Sequence, residues 1–254
     1  MRITVCQLPD ERSAFATAWR DLTAHVAAER SELVLLPELP FHAWFARDRN
    51  FSPTMWAEVV AAHEHGRDRL AELNSPLVLT TRAVNHGPTR LNVGCVWSRA
   101  GGLVDVHAKR YLPEEEGFYE ATWYTRGPAE FAAGQAGPAR LGFLICTELW
   151  AMDAARIYSA AGIHLLVTPR ATGAQSVEKW LLGGRVAAIV SGAFSLSSNR
   201  AAEDGSFGGC GWIIDPDGQV LATTSVDRPF VTIDCDLARA EQAKRTYPRD
   251  ALLR

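Results

Sequence analysis

The sequence predicts an α/β protein built as one domain with mixed parallel and antiparallel sheet. Strand-like and helix-like patches alternate from the N-terminus onward, the pattern that β-α-β units produce. Two stretches, residues 78–108 and 210–234, instead read as successive strands separated only by turns, which argues against a purely parallel sheet. No linker-like or low-complexity run interrupts the 254 residues, and an apolar content of 47% is enough for a sizeable core. The whole chain, 1–254, is therefore read as a single domain.

Each element has its own warrant. Residues 2–8 form an apolar run stopped by Pro9, a buried strand. Over 12–29, Phe15, Ala18, Trp19, Leu22 and Val26 recur at three- and four-residue spacing and share one helical face. Glu-Leu-Val-Leu-Leu (32–36) is a second apolar strand, ended by Pro37. A polar and aromatic loop leads to a helix over about 54–74. Strands follow at 77–84, 91–97 and 103–108, punctuated by Asn85-His86-Gly87-Pro88 and Ala100-Gly101-Gly102. Residues 141–145 make another buried strand, followed by a helix over 151–161. A strand over 163–168 is closed by Pro169, and a helix covers 177–191. Further strands are expected at 194–198, 210–215, 219–224 and 230–234, with a hairpin signal at Pro216-Asp217-Gly218 and one helix after Asp236.

Composition narrows the function. A net charge of −3 supplies no basic footprint, which argues against nucleic acid as a partner. Five cysteines, an odd number with no CxxC pair, argue against a disulfide framework or a structural zinc cluster. The N-terminal apolar run is too short for a signal peptide and no later segment is long enough to span a bilayer, so the expectation is a cytoplasmic protein without membrane partners. His63-Glu64-His65 is a weak metal signal, because side chains two apart on a helix diverge; it reads as a solvated face, and no metal is expected. The glycine-rich stretch 205–211 lacks the Gly-Lys-Ser/Thr ending of a phosphate loop and reads as a close-packing turn. Cys6, Cys95, Cys210 and Cys235 sit in apolar runs and read as inert core.

Three places join an ionisable residue to the end of a buried strand, where open α/β sheets put their sites. Glu38 follows Leu33-Val34-Leu35-Leu36-Pro37, Lys109 ends the strand at 103–108, and Cys146 ends the strand at 141–145 and precedes a helical segment. Taken singly, each has an ordinary explanation as cap, snorkelling cation or core thiol. Taken together they suit covalent catalysis. A thiol at a helix N-terminus near a cation has a lowered pKa, and a carboxylate in an apolar site has a raised one. Nucleophile, proton carrier and oxyanion stabiliser would then all be present. Spacing alone does not bring them together.

Longer motifs carry a resemblance. Leu-Leu-Pro-Glu (35–38), His-Ala-Lys-Arg-Tyr-Leu-Pro (107–113), Glu-Glu-Gly-Phe-Tyr-Glu with a Trp-Tyr-x-x-Gly tail (115–127) and Leu-Gly-Phe-Leu-Ile-Cys (141–146) look like the nitrilase, or carbon–nitrogen hydrolase, superfamily. Ala-Ala-Arg-x-x-x-x-Ala-Gly (154–162), Ser-Ser-Asn-Arg (197–200) and Gly-Trp-Ile-Ile-Asp-Pro-Asp-Gly (211–218) fit it as well, in the right order. The resemblance implies a four-layer α-β-β-α sandwich pairing through helices into a homodimer. It implies a Glu-Lys-Cys triad carried by Glu38, Lys109 and Cys146, a second glutamate at Glu120, and an oxyanion hole completed by the Thr147 N–H. The implied reaction is hydrolysis of a small amide or N-carbamoyl amine through a thioester, with no cofactor; nitrile hydrolysis and a non-catalytic binding member are the alternatives.

Departures from the pattern bear on substrate. After Cys146 the chain reads Thr147-Glu148-Leu149-Trp150, without the arginines with which family carbamoylases of α-amino acids grip a carboxylate and without the Cys-Trp-Glu of nitrile-cleaving members. Glu148 keeps an acidic group and Trp150 an aromatic wall, so both are candidates for substrate binding. Arg170, at a strand end, is a candidate for holding a substrate anion or, equally, for a local salt bridge. Trp44, in the aromatic loop after Glu38, is a candidate pocket wall, with core packing as its alternative. His107 shares a strand face with Lys109 and reads as a core histidine, with a supporting place behind the site as its alternative. The short stretch after Asp236 fits a dimer rather than a filament.

Overall fold

The computed structural model describes residues 1–252. Its first half grows from β1 (Arg2–Pro9) and α1 (Arg12–Glu29), whose limits follow the periodicity of the sequence closely. Phe15, Trp19, Leu22 and Val26 are the buried face of α1, as spaced. β2 (Leu33–Leu35) is followed by a loop and by α2 (Pro53–Arg69), where Ser52 caps the helix by accepting the Met55 N–H at 3.2 Å and Pro53 opens it. The expected end of this helix near residue 74 is a 3₁₀ turn, Leu70–Leu73. β3 (Leu77–His86), β4 (Thr89–Ser98) and β5 (Gly102–Ala108) form the antiparallel meander. A small hairpin, β6 (Glu114–Glu115) with β7 (Phe118–Tyr119), leads into α3 (Glu120–Trp123).

The second half comprises β8 (Gly134–Ala136), β9 (Ala139–Phe143), α4 (Met152–Ala160), β10 (Leu165–Arg170), α5 (Val177–Ser191), β11 (Phe194–Ala201), β12 (Trp212–Ile214), β13 (Val220–Thr223), β14 (Phe230–Asp234), α6 (Leu237–Ala243) and α7 (Arg249–Leu252). Two expectations are corrected here. Pro169 lies within β10 rather than closing it. β9 pairs with β10 only as far as Val167, so the residue without an N–H sits where the strand has lost one neighbour. The strands at 210–234 do not form a simple meander either: β12 and β13 pair, but β14 crosses to run antiparallel to β1.

That crossing completes the first of two six-stranded halves, ordered β14-β1-β2-β3-β4-β5; the second is β8-β9-β10-β11-β12-β13. Read in these orders, both have the same succession of pairings: antiparallel, parallel, parallel, antiparallel, antiparallel. They join where Gln7–Pro9 of β1 runs parallel to Asn199–Ala201 of β11. Strand alternation then sorts side chains by layer. Ile3, Val5, Leu33, Leu35, Leu77 and Leu79 face inward to meet Leu141, Phe143, Leu165 and Val167 of the other half. Cys6, Leu8, Val34, Leu36 and Val78 face outward to α1. Contact between the sheets is close enough that a Cβ on Gly94 of β4 would stand 2.8 Å from the Phe143 ring. On the far side, a Cβ on Gly142 would stand 2.5 Å from the Tyr158 ring of α4. The layers are therefore α-β-β-α, as the resemblance implies.

Candidate active site

The ends of β2, β5, β9 and β10 converge on one buried cluster. Glu38 follows β2 and is wholly buried; its Oε1 accepts hydrogen bonds from Lys109 Nζ at 2.8 Å and from Asn92 Nδ2 at 2.8 Å. Lys109 Nζ also donates to Glu120 Oε2 at 2.6 Å, so one ammonium bridges two carboxylates with no solvent access. Lys109 itself is fixed by backbone bonds, its N–H to Asn92 O at 2.8 Å and its carbonyl accepting from Gly127 at 2.9 Å. Among the described residues Glu38 Oε2 is buried with no hydrogen-bond partner, and the buried Tyr124 hydroxyl lies beside Glu120.

Cys146 stands at the head of a five-residue 3₁₀ turn, Cys146–Trp150, with φ at 50°. A left-handed backbone at a non-glycine residue is held there by its surroundings. The Sγ lies 3.9 Å from Ala171 O. Burial, reinforced by the negative charge of Glu38 and opposed by Lys109, pushes the thiol up to about 12. This corrects the lowered value expected for a helix N-terminus: a short 3₁₀ turn has little dipole to offer, and desolvation dominates. Burial likewise raises Glu120 to about 8 despite Lys109, while the two carboxylates raise Lys109 further above its ordinary range against the cost of burial.

Glu148 ties two of these segments together. It is wholly buried, and its carboxylate accepts from His107 Nε2 at 2.8 and 3.0 Å, from the Arg110 N–H at 2.7 Å and from the Ile145 N–H at 2.9 Å. The Lys109 strand end and the Cys146 turn thus share one anchor, and His107 is that anchor's partner as well as core. Arg200, from the Ser-Ser-Asn-Arg motif, holds the Glu38 loop, donating to Glu38 O at 3.0 Å and pairing with buried Asp10.

A pocket of about 90 Å³ opens beside Cys146, walled by Pro113, Phe118, Glu120, Thr147, residues 171–173 and Trp180, with Glu115 and Ser176 at its rim. The four candidates for substrate binding lie elsewhere. Trp44 lines a separate cavity of about 670 Å³ with Asp10, Arg12 and Arg47, and packs on Phe118 and Phe207. Glu148 is beneath the Cys146 turn. Trp150 is partly exposed against Trp180. Arg170 is wholly buried and does not make the local salt bridge that is one of its two expected roles. It donates to Ser197 Oγ at 2.7 Å, Thr172 Oγ1 at 2.8 Å and Cys210 O at 2.7 Å, lies 4.1 Å over the Trp212 ring, and among the described residues has no carboxylate partner. Burial pulls its guanidinium down to about 10.

Other expectations shift as well. His63 is buried, bonded to Val59 O at 2.7 Å and driven down to about 3 by desolvation, while Glu64 and His65 are the exposed members of that triplet. Cys210 is half-exposed with φ at 55°, unlike buried Cys6, Cys95 and Cys235. Asn92 and Tyr124 went unremarked as site residues. Asn92 left a signal, a polar residue inside the apolar run 91–97; Tyr124 was visible only as half of an aromatic pair.

Known proteins share this frame. The chain is 27% identical to a glutamine-dependent NAD(+) synthetase of Rhodobacter capsulatus over 98% of its own length but 46% of the synthetase, so it spans about half of that relative. It is 26% identical to a chloroplastic omega-amidase of Arabidopsis thaliana, over 97% of this chain and 70% of that one. Among solved structures, a carbon–nitrogen hydrolase from Helicobacter pylori G27 superposes with a TM-score of 0.86 at 21% identity, covering 99% of this chain and 94% of that one. A variant of the amidase from Nesterenkonia sp. AN1, with the acetamide moiety of fluoroacetamide covalently added at its active-site cysteine, superposes at 0.76 with 22% identity, covering 95% and 92%. The profile of the carbon-nitrogen hydrolase family matches residues 2–245. With fold and profile agreeing over nearly its whole length, the chain belongs to the carbon–nitrogen hydrolase family.

Proposed function

We propose that this protein is a cysteine-dependent amidase that cleaves a small amide or N-carbamoyl amine through a thioester. The observation that carries the reading is the buried ammonium of Lys109 held between Glu38 and Glu120 beside a pocket that ends on Cys146. Because the thiol sits near 12, the attacking sulfur is not a standing thiolate; its proton leaves as the S–C bond forms, and Glu38 takes it. The carbonyl oxygen becomes an oxyanion bound by Lys109 Nζ and the Thr147 N–H, a donor pair of which each member contributes about 3–4 kcal/mol to lowering the barrier. Collapse breaks the C–N bond, and Glu38 returns the proton to the departing ammonia or amine. A water then attacks the thioester and gives its proton to Glu38, and breaking the C–S bond frees the acid and restores the thiol. Glu120 steadies Lys109 throughout. The scheme draws on no metal or organic cofactor.

The names of relatives favour amides over nitriles: the omega-amidase above and an N-carbamoylputrescine amidase of Arabidopsis thaliana, 23% identical over 59% of this chain. We also infer a homodimer through the outer face of α4 and α5, where Ile157, Leu182 and Val186 are exposed beside Trp150. No helix among the described residues is long and apolar enough to cross a membrane.

The deciding assay is ammonia release from simple amides, N-carbamoyl amines and nitriles, with Cys146→Ala as control. Release from the first or second group that the variant abolishes is expected. Wild-type turnover by Cys146→Ala would sink the mechanism.

A further inference from the structure

Two carboxyl side chains line the pocket: Glu120 at the floor, which burial keeps protonated up to about pH 8, and Glu115 at the rim. Glu120 is engaged by Lys109. Glu115 is not engaged: it is exposed, and among the described residues its carboxylate has no hydrogen-bond or ion-pair partner. It is nevertheless well placed. Glu115 pairs with Phe118 across the β6–β7 hairpin. That hairpin is pinned by the Tyr119 N–H to Ala46 O at 2.7 Å, by Trp44 Nε1 to Gly117 O at 2.9 Å, and by Glu114 accepting from the Thr122 N–H at 3.0 Å and Oγ1 at 2.7 Å.

The neighbouring cations do not neutralise this rim. Arg170 is wholly buried beside Trp180, bonded to Ser197, Thr172 and Cys210, and does not line the pocket. Lys179 lies over the Trp150 ring at 5.5 Å, outside the pocket lining. Exposed Glu116, next along the hairpin, adds charge of the same sign. Size does the rest. The pocket is small, about 90 Å³, with Cys146 and Glu120 buried in it and Glu115 its exposed carboxylate. Any longer substrate must present its far end at the rim.

Resting on the amidase reading above, we propose that the pocket selects small linear amides or N-carbamoyl amines whose far end is cationic, an ammonium or guanidinium received by Glu115, and disfavours those ending in a carboxylate. One partly solvated ion pair at the rim corresponds to about a tenfold preference, which weakens as salt screens it.

The test uses three amides of matched length at pH 7: butanamide, 4-aminobutanamide and the succinamate monoanion. The 254-residue chain is expected to turn over 4-aminobutanamide with a kcat/KM about tenfold above butanamide, through KM, and succinamate least well. Glu115→Gln should draw the three together, and Glu115→Lys should reverse their order. Equal rates, or an order that neither variant moves, overturn the proposal while leaving the amidase reading intact. Calorimetric titration of the same amides into Cys146→Ala protein separates the two ideas. Charge-ordered binding lost in the Cys146→Ala/Glu115→Gln double variant, without turnover by the unmodified chain, supports charge selection and overturns hydrolysis. Binding indifferent to charge, or no binding, overturns charge selection.

Discussion

At the scale of single residues the site is governed by desolvation. Cys146 and Glu120 both hold their protons to higher pH than solvent-exposed groups of their kind, and in both the largest cause is burial. For Glu120 this has a consequence for stability. Its carboxyl is raised from an ordinary 4.5 to about 8, so between those values the folded protein holds a proton that the unfolded chain has lost. Its contribution to stability therefore falls as pH climbs through that window. Glu120→Gln has no proton to lose there. Urea midpoints at pH 5, 6.5 and 8 should show native protein losing ground to the variant with each step, and a constant gap would refute the assignment.

Elements matter here mainly by how they end and how closely they pass. Glu38, Lys109 and Cys146 each follow a strand, and the strands bring their ends together because the two sheets are packed face to face. Gly94 is one point of closest approach, against Phe143, and Asn92, two residues earlier on β4, is the residue that bonds Glu38. Gly94→Ala is expected to overpack this contact, lowering stability by about 1–3 kcal/mol and shifting Asn92 from Glu38. Urea unfolding together with the ammonia assay checks both effects; native values for both would show that the sheets can part without cost to the site.

For the molecule as a whole, two halves with the same strand directions meet along β1 and β11, and each supplies part of the cluster: Glu38 and Lys109 from one, Cys146 from the other. The outer face of α4 and α5 carries large exposed apolar side chains among its charged ones, with Leu182 59% exposed and Ile157 51% exposed. Sedimentation equilibrium is expected to give about twice the 27.8 kDa chain mass, and Leu182→Asp to give the single-chain mass. A native monomer would rule out the helical interface.

Most elements could be read in the chain because apolar periodicity is local. The spacing of Phe15, Trp19, Leu22 and Val26 fixes α1, and the turns at 85–88 and 100–102 mark off the β3–β5 meander. The same local code named the strand-end residues Glu38, Lys109 and Cys146, with motif order adding Glu120. It did not show where β14 pairs, which joins opposite ends of the chain, nor that Arg170 would be buried among hydroxyls and a carbonyl, which depends on residues 27 and 40 positions away. It also misjudged the thiol, because a pKa answers to burial and to charges from other segments. Lys109 bridges partners 71 and 11 residues away, and Glu148 reaches one 41 residues away. Amino-acid order thus specified the elements and the chemical types at their ends, which local sterics and hydropathy determine. Which of those groups touch, which lie buried, and which carboxylate faces the pocket came from packing two sheets together, because Coulomb and desolvation energies depend on distance in space rather than along the chain.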